Sequence, residues 1–213
     1  MTNSGSNTVS VIDTTTNMVI TTISIGDGEF EAPIDIAYDS VNERMYITNF
    51  LSGNVSVIDT TTNTVTDTVD VGDILFGIAY DSFNERMYVN QFSSGNVSVI
   101  DTTTNTVIDT IPVGDRPIGI AYDSVNKRMY VTNSGSNTVS VIDTTTNTVI
   151  ATIAVGDGPS DIAYDSISKR IYVTNSNSNT VSVIDTNTNT VIDTIVVGDF
   201  PSDIAYDPVN ERM

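Results

Sequence analysis

Residues Gly114 to Val155 read GDRPIGIAYDSVNKRMYVTNSGSNTVSVIDTTTNTVIATIAV, and the rest of the chain is this stretch copied with small changes. The tyrosine of Ala-Tyr-Asp recurs at Tyr38, Tyr80, Tyr122, Tyr164 and Tyr206, a step of 42 residues. The aspartate of Val-Ile-Asp recurs at Asp13, Asp59, Asp101, Asp143 and Asp185, the first step being 46. The 4 extra residues fall between Gly26 and Pro33, an insertion near 29–32, where another copy has only Gly156 to Pro159. Five repeats with that insertion, less one residue, account for all 213 residues, so 1–213 is read as one domain. A strand-built repeat of this length points to a propeller or a solenoid.

Within the quoted copy, four alternating segments are separated by turn residues: Ile118 to Asp123, Arg128 to Asn133, Thr138 to Asp143, and Thr148 to Val155. Ser134-Gly135-Ser136-Asn137 and Thr144-Thr145-Thr146-Asn147 supply the turn chemistry. Val, Ile, Thr and Tyr dominate the segments, as a pleated, packed surface prefers, and none has helical spacing. Pro112 lies inside the fourth segment of its copy. A proline cannot donate a ladder hydrogen bond, so that segment is an outer edge and the first segment lies nearest the axis. The expected fold is all-β: a five-bladed β-propeller of four-stranded antiparallel blades.

Tyr130-Val131-Thr132-Asn133 and Tyr172-Val173-Thr174-Asn175 are each followed by a small polar turn and Thr-Val-Ser-Val-Ile-Asp. In this the chain resembles the YVTN β-propeller repeat, best known from archaeal surface-layer and other cell-surface proteins. Tyr46-Ile47-Thr48-Asn49 departs from the motif mildly and Tyr88-Val89-Asn90-Gln91 more clearly. Members of that family most often close with seven blades, whereas the repeats here number five.

The last residues, Glu211-Arg212-Met213, stop where other copies continue Tyr-Val-Thr-Asn, and the first are Met1-Thr2-Asn3. Laid end to end they rebuild a second strand lacking one residue. The ring is therefore expected to close by pairing the N- and C-terminal strands in one blade, which removes both open edges. The same arithmetic fits part of a longer propeller, or a chain of linked partial rings.

Composition narrows the chemistry. The 27 acidic and 8 basic side chains give a net charge of −19, a field that repels nucleic acid and anionic membrane surfaces. With no Cys there is neither a disulfide nor a thiolate metal site, and with no His the commonest general base is missing. No apolar run approaches the roughly 18 residues of a membrane helix, so direct membrane insertion is not expected. Met1 opens in mid-repeat without a leader.

In a propeller the loops between blades and those joining second to third strands share one face, here the top. That face carries Asp27, Asp73, Asp115, Asp157 and Asp199, one per copy, a set of oxygen ligands that could suit Ca²⁺ or simply cap its own turns. Asp35, Asp161 and Asp203 follow slightly further along, where the other two copies have Gly77 and Gly119. Close carboxylates repel, so such a group must take up a proton or a cation. No other cofactor is expected. The loops that break the repeat are apolar: Phe50 and Leu51, Ile74, Leu75 and Phe76, Phe92, and Phe30 in the insertion. They form either a partner-binding patch or a plug.

These readings lead to a non-enzymatic structural or protein-binding module, extracellular or on a cell surface and monomeric in isolation, meeting a protein or surface glycan through its top face. The alternative is a multivalent carbohydrate-binding propeller. Catalysis is not expected, since near-identical copies give their aspartates like surroundings, the reverse of what separate acid and base roles require.

Overall fold

The computed structural model describes residues 1–26 and 31–213. Among them the alternating runs form nineteen β-strands and one turn of 3-10 helix, Ser4–Ser6. The first sheet holds β1 (Thr2–Asn3), β2 (Thr8–Asp13) and β3 (Met18–Ser24). The second runs β4 (Pro33–Asp39), β5 (Arg44–Asn49), β6 (Asn54–Asp59) and β7 (Thr64–Asp70). The third holds β8 (Leu75–Asp81), β9 (Arg86–Gln91), β10 (Asn96–Asp101) and β11 (Thr106–Pro112). The fourth holds β12 (Pro117–Asp123), β13 (Arg128–Asn133), β14 (Thr138–Asp143) and β15 (Thr148–Ala154). The fifth holds β16 (Pro159–Asp165), β17 (Arg170–Asn175), β18 (Thr180–Asp185) and β19 (Thr190–Val196).

Strands neighbour one another in chain order within each sheet, and the sheets are antiparallel meanders. This is the architecture of a five-bladed β-propeller. Pro112 ends β11, an edge strand, where its missing N–H leaves no ladder bond unmade. The segments formed match those expected to within one residue: β12 starts at Pro117 and β15 stops at Ala154.

The expected closing pair is not among the strand pairings of the described residues. β1 pairs with β2 and is the edge of a three-stranded sheet, while Asp207 and Arg212 form an isolated bridge with each other.

The chain divides into two compact units, Met1–Gln91 with Ser98–Asp109 and Phe92–Val97 with Thr110–Met213. The first buries Tyr46, Val55, Val57, Leu75, Met87 and Ile100 in one cluster and Val9, Ile23, Ile25, Ile47 and Ile58 in another. The second buries Tyr130, Val139, Val141, Ile162, Ile171 and Ile184. Within each unit the first strands of successive sheets lie side by side, β4 with β8 and β12 with β16.

Each residue of Tyr-Val-Thr-Asn has its own task in this packing. The Tyr130 hydroxyl donates to Asn189 Oδ1 of the following sheet (2.7 Å), and Val131 is fully buried. Thr132 Oγ1 accepts from the Gly119 N–H (2.8 Å) and donates to the Ser160 carbonyl across the sheet boundary (3.0 Å). Asn133 Nδ2 donates to Thr138 and Ser140, tying β13 to β14. Arg128 adds a bond to the Thr186 carbonyl (2.8 Å). The first unit repeats the joint with Tyr46 on Asn105 (2.6 Å) and Arg44 on the Thr102 carbonyl (3.2 Å). Burial holds the tyrosine protonated: Tyr46 and Tyr130 are pushed up to about 12 by desolvation, against the opposing pull of Arg44 and Arg128.

The acceptor asparagines are themselves turn residues. Asp101, Asp143 and Asp185 each take the N–H groups two and three residues on, and Asn105, Asn147 and Asn189 then adopt left-handed φ near +54°. Asparagine tolerates that conformation better than most residues, so the turn and the joint select the same side chain.

Candidate functional site

The irregular loops of the first unit converge in part. The Phe50 and Phe76 rings meet edge to face, centroids 5.2 Å apart and planes at 86°. Leu75, at the start of β8, is fully buried in the core cluster, so it supports the loop from beneath and is not itself presented. Ile74 is half-buried, its N–H on its neighbour's carboxylate at Asp73 Oδ1 (2.7 Å). Leu51 stands outward, 53% exposed. Gln91, which replaces the motif's asparagine, donates Nε2 to the carbonyls of Val71 and Gly72 (3.0 and 3.3 Å) and so anchors this loop. These loops of the first unit therefore offer an aromatic pair and, next to Phe50 in the chain, an exposed leucine.

In the second unit Phe92 is half-buried, and the Arg116 guanidinium lies 5.9 Å from its ring centroid. That is within reach of a cation–π attraction. Phe30 and Asp27 lie outside the described residues.

The other inter-sheet aspartates bond to loops that join second and third strands, 20 or 21 residues away. Asp115 and Asp157 donate backbone N–H to Ser136 and Ser178, and accept from the Gly135 and Asn177 N–H groups through their carbonyls. Asp199 Oδ1 accepts from Asn179 Nδ2 (3.1 Å). Among the described residues no three acidic side chains gather to hold a metal ion.

The carboxylates that do meet a neighbour are those one step further along. Asp35 Oδ2 accepts the Ile78 N–H (2.9 Å), and Asp161 Oδ2 accepts the Ile204 N–H (3.0 Å), each reaching from one first strand to the next. In the copy with Gly119, a side chain would meet the Ser160 carbonyl at 2.7 Å, so only glycine fits there. Asp161 also faces Asp203. Burial first, and then a hydrogen bond to that second carboxylate, raise the Asp161 carboxyl to about 7. The sequence marked this pair through the Asp/Gly alternation; it gave no sign of which oxygen would cap the next strand.

A second acidic element links the Ala-Tyr-Asp triplets. The hydroxyl of Tyr80 lies against the Asp39 carboxylate of the preceding sheet, and Tyr164 likewise faces Asp123, neither in strict hydrogen-bond geometry. Desolvation and the facing carboxylate both push these phenols up. Each aspartate also takes two turn N–H groups, Asp39 from Val41 and Asn42 and Asp123 from Val125 and Asn126. This element was not visible in the sequence, because the partners are 41 residues apart.

No protein-family model matches the chain, and no curated protein matches it either. Solved structures are similar to it. One is Kuenenia stuttgartiensis hydrazine synthase, at 26% identity and a TM-score of 0.75, covering 85% of this chain and 53% of that one. The chain thus spans about half the length of that relative. Another is a functionally unknown protein from Desulfotomaculum acetoxidans DSM 771, at 18% identity and a TM-score of 0.81, covering 97% of this chain and 68% of that one. The second likeness shows the fold alone, and no helix of the described residues is long and apolar enough to cross a membrane.

Proposed function

We infer that the chain is a non-enzymatic binding module of a cell-surface or extracellular protein, and that it meets a protein partner through the apolar loops of its irregular copies. The observation that carries this is the Phe50–Phe76 pair together with Leu51, the chain neighbour of Phe50, which is 53% exposed. A rigid aromatic pair with an exposed aliphatic neighbour is the make-up of an interface anchor, since little side-chain entropy is lost on docking. The repeat resembles that of surface-layer proteins, and the net charge of −19 disfavours polyanionic partners.

Catalysis finds little support in the acidic groups. Asp161 has its charge-bearing oxygens occupied by the Ile162 and Ile204 N–H groups and by Asp203, a structural use of a carboxyl group. The aspartates in the turns accept two backbone N–H groups apiece. The hydrazine synthase likeness concerns half of a larger chain and brings no site residue with it.

The test is a binding titration of the chain against a cell-envelope fraction, with Leu51→Asp and Phe50→Ser as variants. The expected result is saturable binding that Leu51→Asp weakens at least about tenfold, a typical loss for an interface anchor, with thermal stability unchanged. Equal binding by Leu51→Asp would overturn the reading. Binding that disappears after periodate treatment of the fraction would replace it with the carbohydrate-binding alternative.

A further inference from the structure

Each four-stranded sheet has one edge formed by its fourth strand: β7, β11, β15 and β19. In three of these strands the fourth residue is an exposed aspartate, Asp67, Asp109 and Asp193. β7 adds Asp70, and β11 ends in Pro112. Charged side chains and proline are the ordinary means by which a sheet edge is kept from pairing with another chain. β15, Thr148–Ala154, departs from this: Ala151 stands in the fourth place, and the strand carries neither a charge nor a proline. Of the four edges it alone is bare.

The exchange at this place has a structural cost. Asp67 Oδ2 accepts Asn105 Nδ2 (2.9 Å), and Asn105 Oδ1 in turn takes the Tyr46 hydroxyl, so the edge aspartate lengthens the joint by one bond. Asn189 takes the Tyr130 hydroxyl in the same way, but the methyl group of Ala151 offers it no acceptor. The second unit thus forgoes a bond and gains an uncharged edge. Its surroundings are apolar. Val149 is 36% and Ile150 46% exposed. The register skips Ile150 as a bulge, and Ala151 to Ala154 then run regularly against Val141 to Thr138. A hollow of about 260 Å³ opens along the strand, lined in part by Pro112, Val113, Ser140, Val149 and Thr152. β3 of the three-stranded sheet is uncharged as well, with Thr21 in the fourth place, and is the competing edge.

We propose that β15 pairs antiparallel with β15 of a second copy, joining two four-stranded sheets edge to edge. The charge pattern selects the occupant. A two-fold pairing sets the middle of the strand against its own image, so an aspartate there would meet a second aspartate, and like charges directly opposed are destabilising. Alanine removes that repulsion. A strand from a different protein imposes no such condition, because a basic residue on the partner would match an aspartate. The chain's 27 acidic and 8 basic side chains make copies repel wherever charged surfaces approach, and an uncharged edge is where they meet at least cost. Backbone hydrogen bonds supply the affinity, and side chains seated beside Val149 and Thr152 fix the register. The contact is isologous, so it closes at two copies. It uses none of the residues assigned above to partner binding. A dimer then takes the place of the monomer expected from the sequence.

Sedimentation equilibrium over a wide range of concentration tests this. The unaltered chain is expected to rise from 22.8 kDa to twice that mass and to stop there. Ala151→Asp should weaken the association at least about tenfold, since both copies then bring a charge to the edge. Its melting temperature should not fall, because aspartate is what the other three edges carry at this place. Thr21→Asp should leave the association unchanged. A chain that stays monomeric throughout would overturn the proposal, and so would an Ala151→Asp variant that dimerises as well as the unaltered chain. Loss of the dimer on Thr21→Asp and not on Ala151→Asp would move the contact to β3. Masses beyond two copies would exclude an isologous contact. A monomer whose binding to a cell-envelope fraction falls with Ala151→Asp would show that the edge receives another protein's strand, and the second copy would be the wrong occupant.

Discussion

Tyr130 and Tyr172 stand one repeat apart in identical Tyr-Val-Thr-Asn motifs, and their surroundings differ in one respect. Tyr130 has a following sheet whose Asn189 receives its hydroxyl, and it is fully buried; Tyr172 has residues 201–213 and an open hollow. The difference teaches that the motif does not stabilise its own sheet so much as the boundary with the next one. A tyrosine without that neighbour is the same residue with most of its purpose missing. Stability in such an array is the sum of sheet and boundary terms.

The largest effect that sharpens this contrast is truncation of the tyrosine itself. Tyr130→Ala removes a buried ring and leaves a cavity, an expected loss of about 3–5 kcal/mol in denaturant unfolding. Tyr172→Ala, whose ring is only half-buried, should cost less than half as much. Equal losses would break the comparison. Next comes the acceptor: Asn189→Ala deprives Tyr130 of its partner and the turn of its left-handed residue, for about 1–2 kcal/mol, while Asn17→Ala should stay within about 0.5 kcal/mol.

The smallest effect is the dependence on pH. Asp161 is raised to about 7 by burial and then by Asp203, so the folded state binds its proton more tightly than the unfolded chain does. The stability this contributes is fully present below the ordinary carboxylate range near 3.8 and is lost as pH rises through about 7. The turn aspartates Asp13, Asp59 and Asp185 act in the opposite sense. Backbone N–H groups hold them below their usual range, so their contribution is lost as pH falls. The isolating measurement is therefore the difference between the unaltered chain and Asp161→Asn. Between pH 4 and pH 7.5 their melting temperatures should move relative to each other by roughly 2–4 °C, the response of a domain this size to about 1 kcal/mol. A pH-independent difference would show that the pair carries no shared proton.

Most of the fold was legible because the repeat writes it five times. Strand limits, the edge position of Pro112 and the Asp-centred turns follow from alternation and turn chemistry within a few residues of one another. The expected closing of the ring rested on sequence arithmetic at the termini, and among the described residues β1 pairs with β2. The candidate site was legible in outline alone. Leu51 and the Phe50–Phe76 contact follow from apolar residues in polar loops, yet Leu75 could not be told from its neighbours and goes into the core. The long-range partners, Tyr130 with Asn189 and Asp161 with Ile204, were hidden because 43 to 59 residues separate them and each residue type also has a local use in its turn.

The most direct measurement of whether boundaries, and not single sheets, carry the stability is amide hydrogen exchange followed by mass spectrometry, comparing β14 with its counterpart β2. The expected result is strong protection of Thr138–Asp143, with the less buried Thr8–Asp13 exchanging at least tenfold faster. Equal protection of the two strands would contradict it.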